Sequence, residues 1–258
     1  VHRPMKAPGA IASFRDRQAA EGAYEAVDRG LQSVRLERVV GSVSRYLDFD
    51  RRFRLKPSRP RERLLAVRRA MRRGVPLPPV ELCKIKDAYY VADGHHRVAV
   101  AKEMGFAECN ARVVEFLPSP VGLENILYRE RQAFETETGL GSANIRLTEQ
   151  GKYAHLMQQV AQHWQHLNGA RGPGEAGATM FQAAADWLAT IYAPLTALIE
   201  GSGLPKLFPR RTLSDLYAYI SFQQWTLRAE RSYGRGIDKI IGQDMEEFRE
   251  AMKDRAPS

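Results

Sequence analysis

Cysteine is nearly absent from this chain. Cys83 and Cys109 are the only two in 258 residues, which excludes a disulfide-stapled secreted scaffold and leads us to expect a reducing, cytoplasmic setting. Long apolar runs are missing too. The most apolar stretch, Trp187–Ile199, is interrupted by Thr190, Pro194 and Thr196 and falls short of the ~20 residues that cross a bilayer, so no membrane partner is expected. The first residues lack an apolar core, so no signal peptide is expected. Glycine and proline are scattered without a repeat, which excludes a collagen-like chain. At 44% hydrophobic and 27% charged residues the composition is that of a folded protein, and the length suits one large domain or two modest ones.

Acidic residues are scarce in one place. Between Arg45 and Arg73, twelve Lys and Arg stand against Asp48, Asp50 and Glu62, so this segment alone accounts for the net charge of +9. Eleven of the twelve are arginine. The stripe reads as the footprint of a polyanion: nucleic acid, nucleotide phosphates or an acidic surface. It reads equally as a solvated helix face, because arginine makes forked phosphate contacts and is also a good helix former.

Periodicity predicts a helix over Ile11–Gln32 and a strand over Gln32–Val40, broken at Gly41 and Ser42. A second helix opens at Ser58, a candidate N-cap with Pro60 in the first turn, and ends at Gly74. Strands over 78–86 and Ala88–Asp93 form a hairpin. A helix then runs over His95–Glu103 and a strand over Asn110–Phe116. Beyond residue 121 only helical spacing remains. Tyr153, Leu156, Met157, Val160, Trp164 and Leu167 mark one apolar face, and Trp187, Leu188, Ile191, Leu195, Leu198 and Ile199 another. Helices over Thr212–Arg231 and Ile237–Lys253 follow. The expected organisation is an N-terminal helix over 1–32, an α+β domain over 33–118 and an all-α domain over 121–258.

The segment richest in chemistry is Asp93, Gly94, His95, His96, Arg97. A strand ends there, glycine turns tightly and a helix begins, so free N–H groups and the positive dipole end face one point. Arg97 can add a forked phosphate contact, the two histidines offer donors, and Asp93 could hold a metal ion or a hydroxyl. The same residues also fit a plain helix cap with histidines satisfied by nearby carbonyls.

Together with the turn Gly41–Arg45, the basic helix and the Pro76–Val80 approach to the hairpin, this segment resembles the ParB/sulfiredoxin superfamily. The resemblance covers residues 39–116, about a third of the chain. It implies a small mixed sheet with helices, here followed by an all-α part, in which the glycine turn and its arginine bind nucleotide phosphates. Members include ParB centromere-binding CTPases, sulfiredoxin, free-serine kinases and proteins labelled ParB-like nucleases. His95 stands where sulfiredoxin has its catalytic cysteine, which excludes that chemistry. The DGHHR form matches the serine kinases best, yet their catalytic glutamate has no counterpart in Gly41–Arg45, leaving Asp48 or Asp50 to stand in as base. Phe208–Tyr217 resembles a helical module found beside ParB-like domains in some bacterial proteins.

The resemblance implies a nucleotide-binding protein with ADP, ATP or CTP on Gly94, His95, His96 and Arg97, and with Ser42 and Arg45 opposite. Any reaction would be phosphoryl transfer or nucleotide hydrolysis, with Asp93 and His96 as catalytic candidates and Mg²⁺ on Asp93. The alternative expectation is a DNA-binding homodimer, joined through its helical half, that uses Arg51, Arg52, Arg54, Arg59, Arg61, Arg68 and Arg72. A nuclease is ranked last, since no carboxylate-rich two-metal cluster is visible. His155, His163 and His166 are read as surface residues flanking Trp164 rather than metal ligands, and the cysteines as core residues. Tyr89 and Tyr90 alternate sides of their strand, which leaves one to face a base.

Overall fold

The computed structural model describes residues 11–169 and 176–227. The helix expected over Ile237–Lys253 and the end of that over Thr212–Arg231 lie outside the described residues. The chain divides into two units between Val121 and Gly122.

The first unit is built on a mixed six-stranded sheet. In chain order its elements are β1 (Ala12–Ser13), α1 (Phe14–Glu21), β2 (Glu25–Arg35), β3 (Val39–Ser42), α2 (Glu62–Arg72), β4 (Val80–Ile85), β5 (Ala88–Asp93), α3 (His95–Glu103) and β6 (Glu108–Leu117). The strand order is β1-β3-β5-β4-β6-β2, with β1, β3 and β5 mutually parallel. Strand β4 runs antiparallel to β5 and parallel to β6, and β2 closes the edge antiparallel to β6.

The helix expected over Ile11–Gln32 is corrected here. It stops at Glu21, because Gly22 takes a left-handed φ of 57° and the chain reverses. The rest becomes β2, whose pairing with β6 from Glu25↔Leu117 to Arg35↔Glu108 outweighs its helical spacing. The strand expected over Gln32–Val40 is divided by a 3-10 turn at Leu36–Arg38, and Gly41 and Ser42 form the second half of β3 rather than a break before it. A Cβ at Gly41 would lie 2.3 Å from the Ala12 carbonyl oxygen and 2.5 Å from Tyr90 Cδ1, so glycine is what lets β3 sit between β1 and Tyr90. The basic helix begins at Glu62 rather than Ser58.

Both faces of the sheet are covered. One packs Val39, Leu82, Val91, Val98 and Val113 with Phe49 and Phe53 from the loop after β3. On the other, Phe14 meets Tyr90 and Phe116 edge-on at 5.5 and 5.0 Å. Tyr89 and Tyr90 are therefore both core residues, and neither is left to face a base.

The described part of the second unit is helical: α4 (Leu123–Thr138), α5 (Lys152–Gly169), α6 (Met180–Trp187), a π-helical turn (Leu188–Tyr192), α7 (Ala193–Gly201), α8 (Leu204–Leu207) and α9 (Leu213–Leu227). Trp187, Leu156, Leu216 and Tyr217 lie at the centre of its core. On α5 the buried stripe continues through His163, which binds Asp186 at 2.7 Å, while Trp164 turns outward to donate to the Ala178 carbonyl; the expected surface position of His163 is thus corrected. The architecture is α+β followed by all-α.

Candidate functional site

Strands β3 and β5 are parallel neighbours, so their C-terminal ends, Ser42 and Asp93, open on the same edge of the sheet. That edge is where ligands enter open sheets, outside the carboxyl ends of parallel strands. Gly94 follows β5 with φ 92°, and α3 begins at once with no side chain capping it. The first-turn N–H groups of His95, His96 and Arg97 have no carbonyl within their own helix.

The turn after β3 is tied to this helix by one serine. Ser42 is fully buried, and its Oγ accepts the N–H of Arg45 at 2.8 Å and that of Ser44 at 3.2 Å. Both lone pairs are then in use, so the hydroxyl proton goes to His95 Nε2, 2.7 Å away. That assignment leaves Nε2 unprotonated and the proton of a neutral ring on Nδ1. Burial, reinforced by the Arg45 charge, lowers the His95 pKa to about 4, in keeping with a neutral ring. Phe49 stacks on the ring at 5.9 Å and meets His96 edge-on at 6.2 Å.

Cations gather around this edge. Arg45 lies over the Phe49 ring at 5.9 Å, the ring that packs on both histidines, and burial, then the Arg45 and Arg63 charges, lowers the His96 pKa. Arg45 donates to Asp48 at 2.7 Å, and Arg59 reaches the second oxygen of the same carboxylate at 2.8 Å. Burial alone would raise the Asp50 pKa, but hydrogen bonds from Arg54 and Arg52 hold it below the usual range. Both candidate bases, Asp48 and Asp50, are arginine-bound anchors of the loop.

Arg97 has a different place from the one its spacing suggested. Its guanidinium donates to the Pro78 and Pro79 carbonyls and to Asp93 Oδ2 at 2.6 Å. A Cβ on Gly94 would meet Val80 at 2.7 Å and Arg97 Nε at 2.9 Å, so the glycine makes room for this clamp. Asp93 is consequently paired, and among the described residues no cluster of three or more His, Cys, Asp or Glu could hold a metal. The turn thus fits a resident Mg²⁺ poorly.

The structure brings Ser42, Arg45, Gly94, His95 and His96 together, and turns Asp93 and Arg97 toward each other. Sequence reading missed Phe49 and Arg63. Arg63 lay unmarked inside the basic stripe, and nothing in the sequence distinguishes Phe49. Of the stripe, Arg54, Arg59 and Arg68 are bound to Asp50, Asp48 and Glu103. Arg51, Arg52, Arg61 and Arg72 are exposed. Cys83 and Cys109 are free thiols whose pKa burial raises, which suits packing rather than nucleophilic attack.

No protein-family model and no curated protein matches the chain. Among solved structures it is similar to sulfiredoxin from Arabidopsis thaliana, at 14% identity and a TM-score of 0.25, over 32% of this chain and 82% of that one. It is similar also to a pNOB8-like ParB N-domain, at 15% identity and a TM-score of 0.26, over 58% of this chain and 51% of the other. A second structure of that domain gives 12%, 0.24, 68% and 70%. The chain spans about half the length of the first ParB N-domain structure. Overlaps this loose carry no weight for function, which rests on the site itself.

Proposed function

We propose that the first unit binds the phosphates of a nucleotide at the start of α3. The observation that carries this reading is the convergence of an uncapped helix N-terminus with Arg45 and His96, packed through Phe49, on the open edge of β3 and β5. Oriented amides and guanidinium groups stabilise phosphate charge without rearranging, which is also what phosphoryl transfer or hydrolysis requires. ADP, ATP and CTP are the ligands to test, in keeping with the resemblance to ParB and sulfiredoxin. Ser42 and Asp93 act as positioning residues, the first through His95 and the second through Arg97. Mg²⁺ would enter with the nucleotide, since phosphates supply most of its ligands in such sites.

The alternative of duplex DNA along the arginine stripe has less support, because three of its seven arginines are already neutralised by carboxylates. Amide shift mapping with each nucleotide tests the reading. The N–H signals of His95, His96 and Arg97 should move first and furthest. Shifts confined to α2 would reject it.

A further inference from the structure

The arginine stripe contributes to a second feature, away from the turn. An open cleft of about 380 Å³ lies between α2, the loop at 52–55 and the C-terminal half of α3. Leu55, Leu64, Leu65 and Ala99 give it an aliphatic floor, and Leu65 is 45% exposed there. Arg52, Arg54, Arg61, Arg68 and Lys102 line it against a single carboxylate, Glu103.

These cations are not equivalent. Arg54 is bound to Asp50 and Arg68 to Glu103, while Lys102 donates to the Leu36 carbonyl and covers the Phe53 ring at 5.6 Å. Among the described residues, Arg52 and Arg61 form no ion pair and the buried Nε of Arg68 finds no hydrogen-bond partner. Phe53 adopts a left-handed φ of 63°, a strained state for an aromatic residue, and this tucks its ring beneath Lys102.

We propose that this cleft docks an acidic amphipathic segment of a protein partner, with an aliphatic side chain on Leu64 and Leu65 and flanking carboxylates on Arg52 and Arg61. Charge complementarity requires an anionic partner, and the floor decides its class. Single-stranded nucleic acid needs exposed aromatic faces on which bases stack. The one aromatic residue of the cleft, Phe53, is 2% exposed and lies under Lys102. An exposed leucine between unpaired arginines instead matches alternating apolar and acidic side chains. This docking is independent of nucleotide binding at the α3 N-terminus.

The test selects 12-residue peptides from a random display library on the full chain. It then measures their binding, and that of a thymidine 12-mer, by fluorescence anisotropy. Leu65→Gln removes the apolar anchor and Arg61→Glu reverses one rim charge, both at exposed positions; Arg72→Glu makes the same reversal outside the cleft. The expected result is peptides rich in Asp or Glu beside Leu, Ile or Phe. Their affinity should drop about fivefold in Leu65→Gln and about tenfold in Arg61→Glu, with less than a twofold change in Arg72→Glu. Peptides without that bias would overturn the proposal. So would equal losses in Arg72→Glu and Arg61→Glu, or a thymidine 12-mer that binds more tightly than any peptide and ignores Leu65→Gln.

Discussion

Replacing Ser42 by alanine removes one oxygen and disturbs two segments at once. The Arg45 N–H at 2.8 Å and His95 Nε2 at 2.7 Å each lose their partner, and the longer bond from Ser44 at 3.2 Å goes as well. The site is fully buried, so water does not readily replace the hydroxyl. A buried polar group left unsatisfied costs about 1–3 kcal/mol. Two strong bonds and one weak one, partly relieved by relaxation of the 43–45 turn, give an expected loss of about 3 kcal/mol. Urea unfolding monitored by circular dichroism measures it. Nitrogen chemical shifts of His95 give a second readout: the wild type should show the proton on Nδ1, and Ser42→Ala should lose that preference. A loss below about 1 kcal/mol with an unchanged tautomer would refute the assignment of Ser42 as the donor that fixes His95.

Stability should also fall in acid. The folded His95 pKa lies near 4, below the ordinary 6.5. The unfolded chain therefore binds the extra proton first, and stability complete above pH 6.5 erodes as pH falls toward 4. Allowing for solvent screening, His95→Gln should flatten the profile by about 2 kcal/mol between pH 7 and 4.5 in urea titrations; an unchanged slope would contradict it. Gly94→Ala, strained at φ 92° and crowded by Val80 and Arg97, should lower stability by about 2–4 kcal/mol in the same assay. Glu115 is fully buried between Arg29 at 2.7 Å and Lys84 at 2.9 Å, so Glu115→Gln should cost about 3 kcal/mol; a loss under 1 kcal/mol would show the carboxylate is dispensable.

Much of the first unit was legible where a local signal coincided with the tertiary demand. The hairpin of β4 and β5, and α3 to the residue, follow from a turn at Lys86, the Gly94 break and Gly105 beyond the helix end. Residues 25–31 failed because their apolar spacing suits a helix and only β6, some eighty residues away, makes them a strand. The site was half legible. Glycine before a helix announces free amides, while the hydrogen bond from Ser42 to His95 is a tertiary contact that no spacing encodes. Arg97 misled because its partners, the Pro78 and Pro79 carbonyls, are distant backbone atoms that no motif encodes. The stripe misled in the same way: composition counts charges, whereas Asp48 and Asp50 bind theirs through a loop conformation.

The central claim is that nucleotide phosphates bind the α3 N-terminus under Arg45 and His96. It is tested most directly by calorimetric titration of ADP, ATP and CTP, with Mg²⁺, into the wild-type protein and into His96→Ala and Arg45→Ala. Clear binding of at least one nucleotide is expected, with a loss of about tenfold or more in each variant. No binding to the folded wild type, or equal affinity in all three proteins, would contradict it.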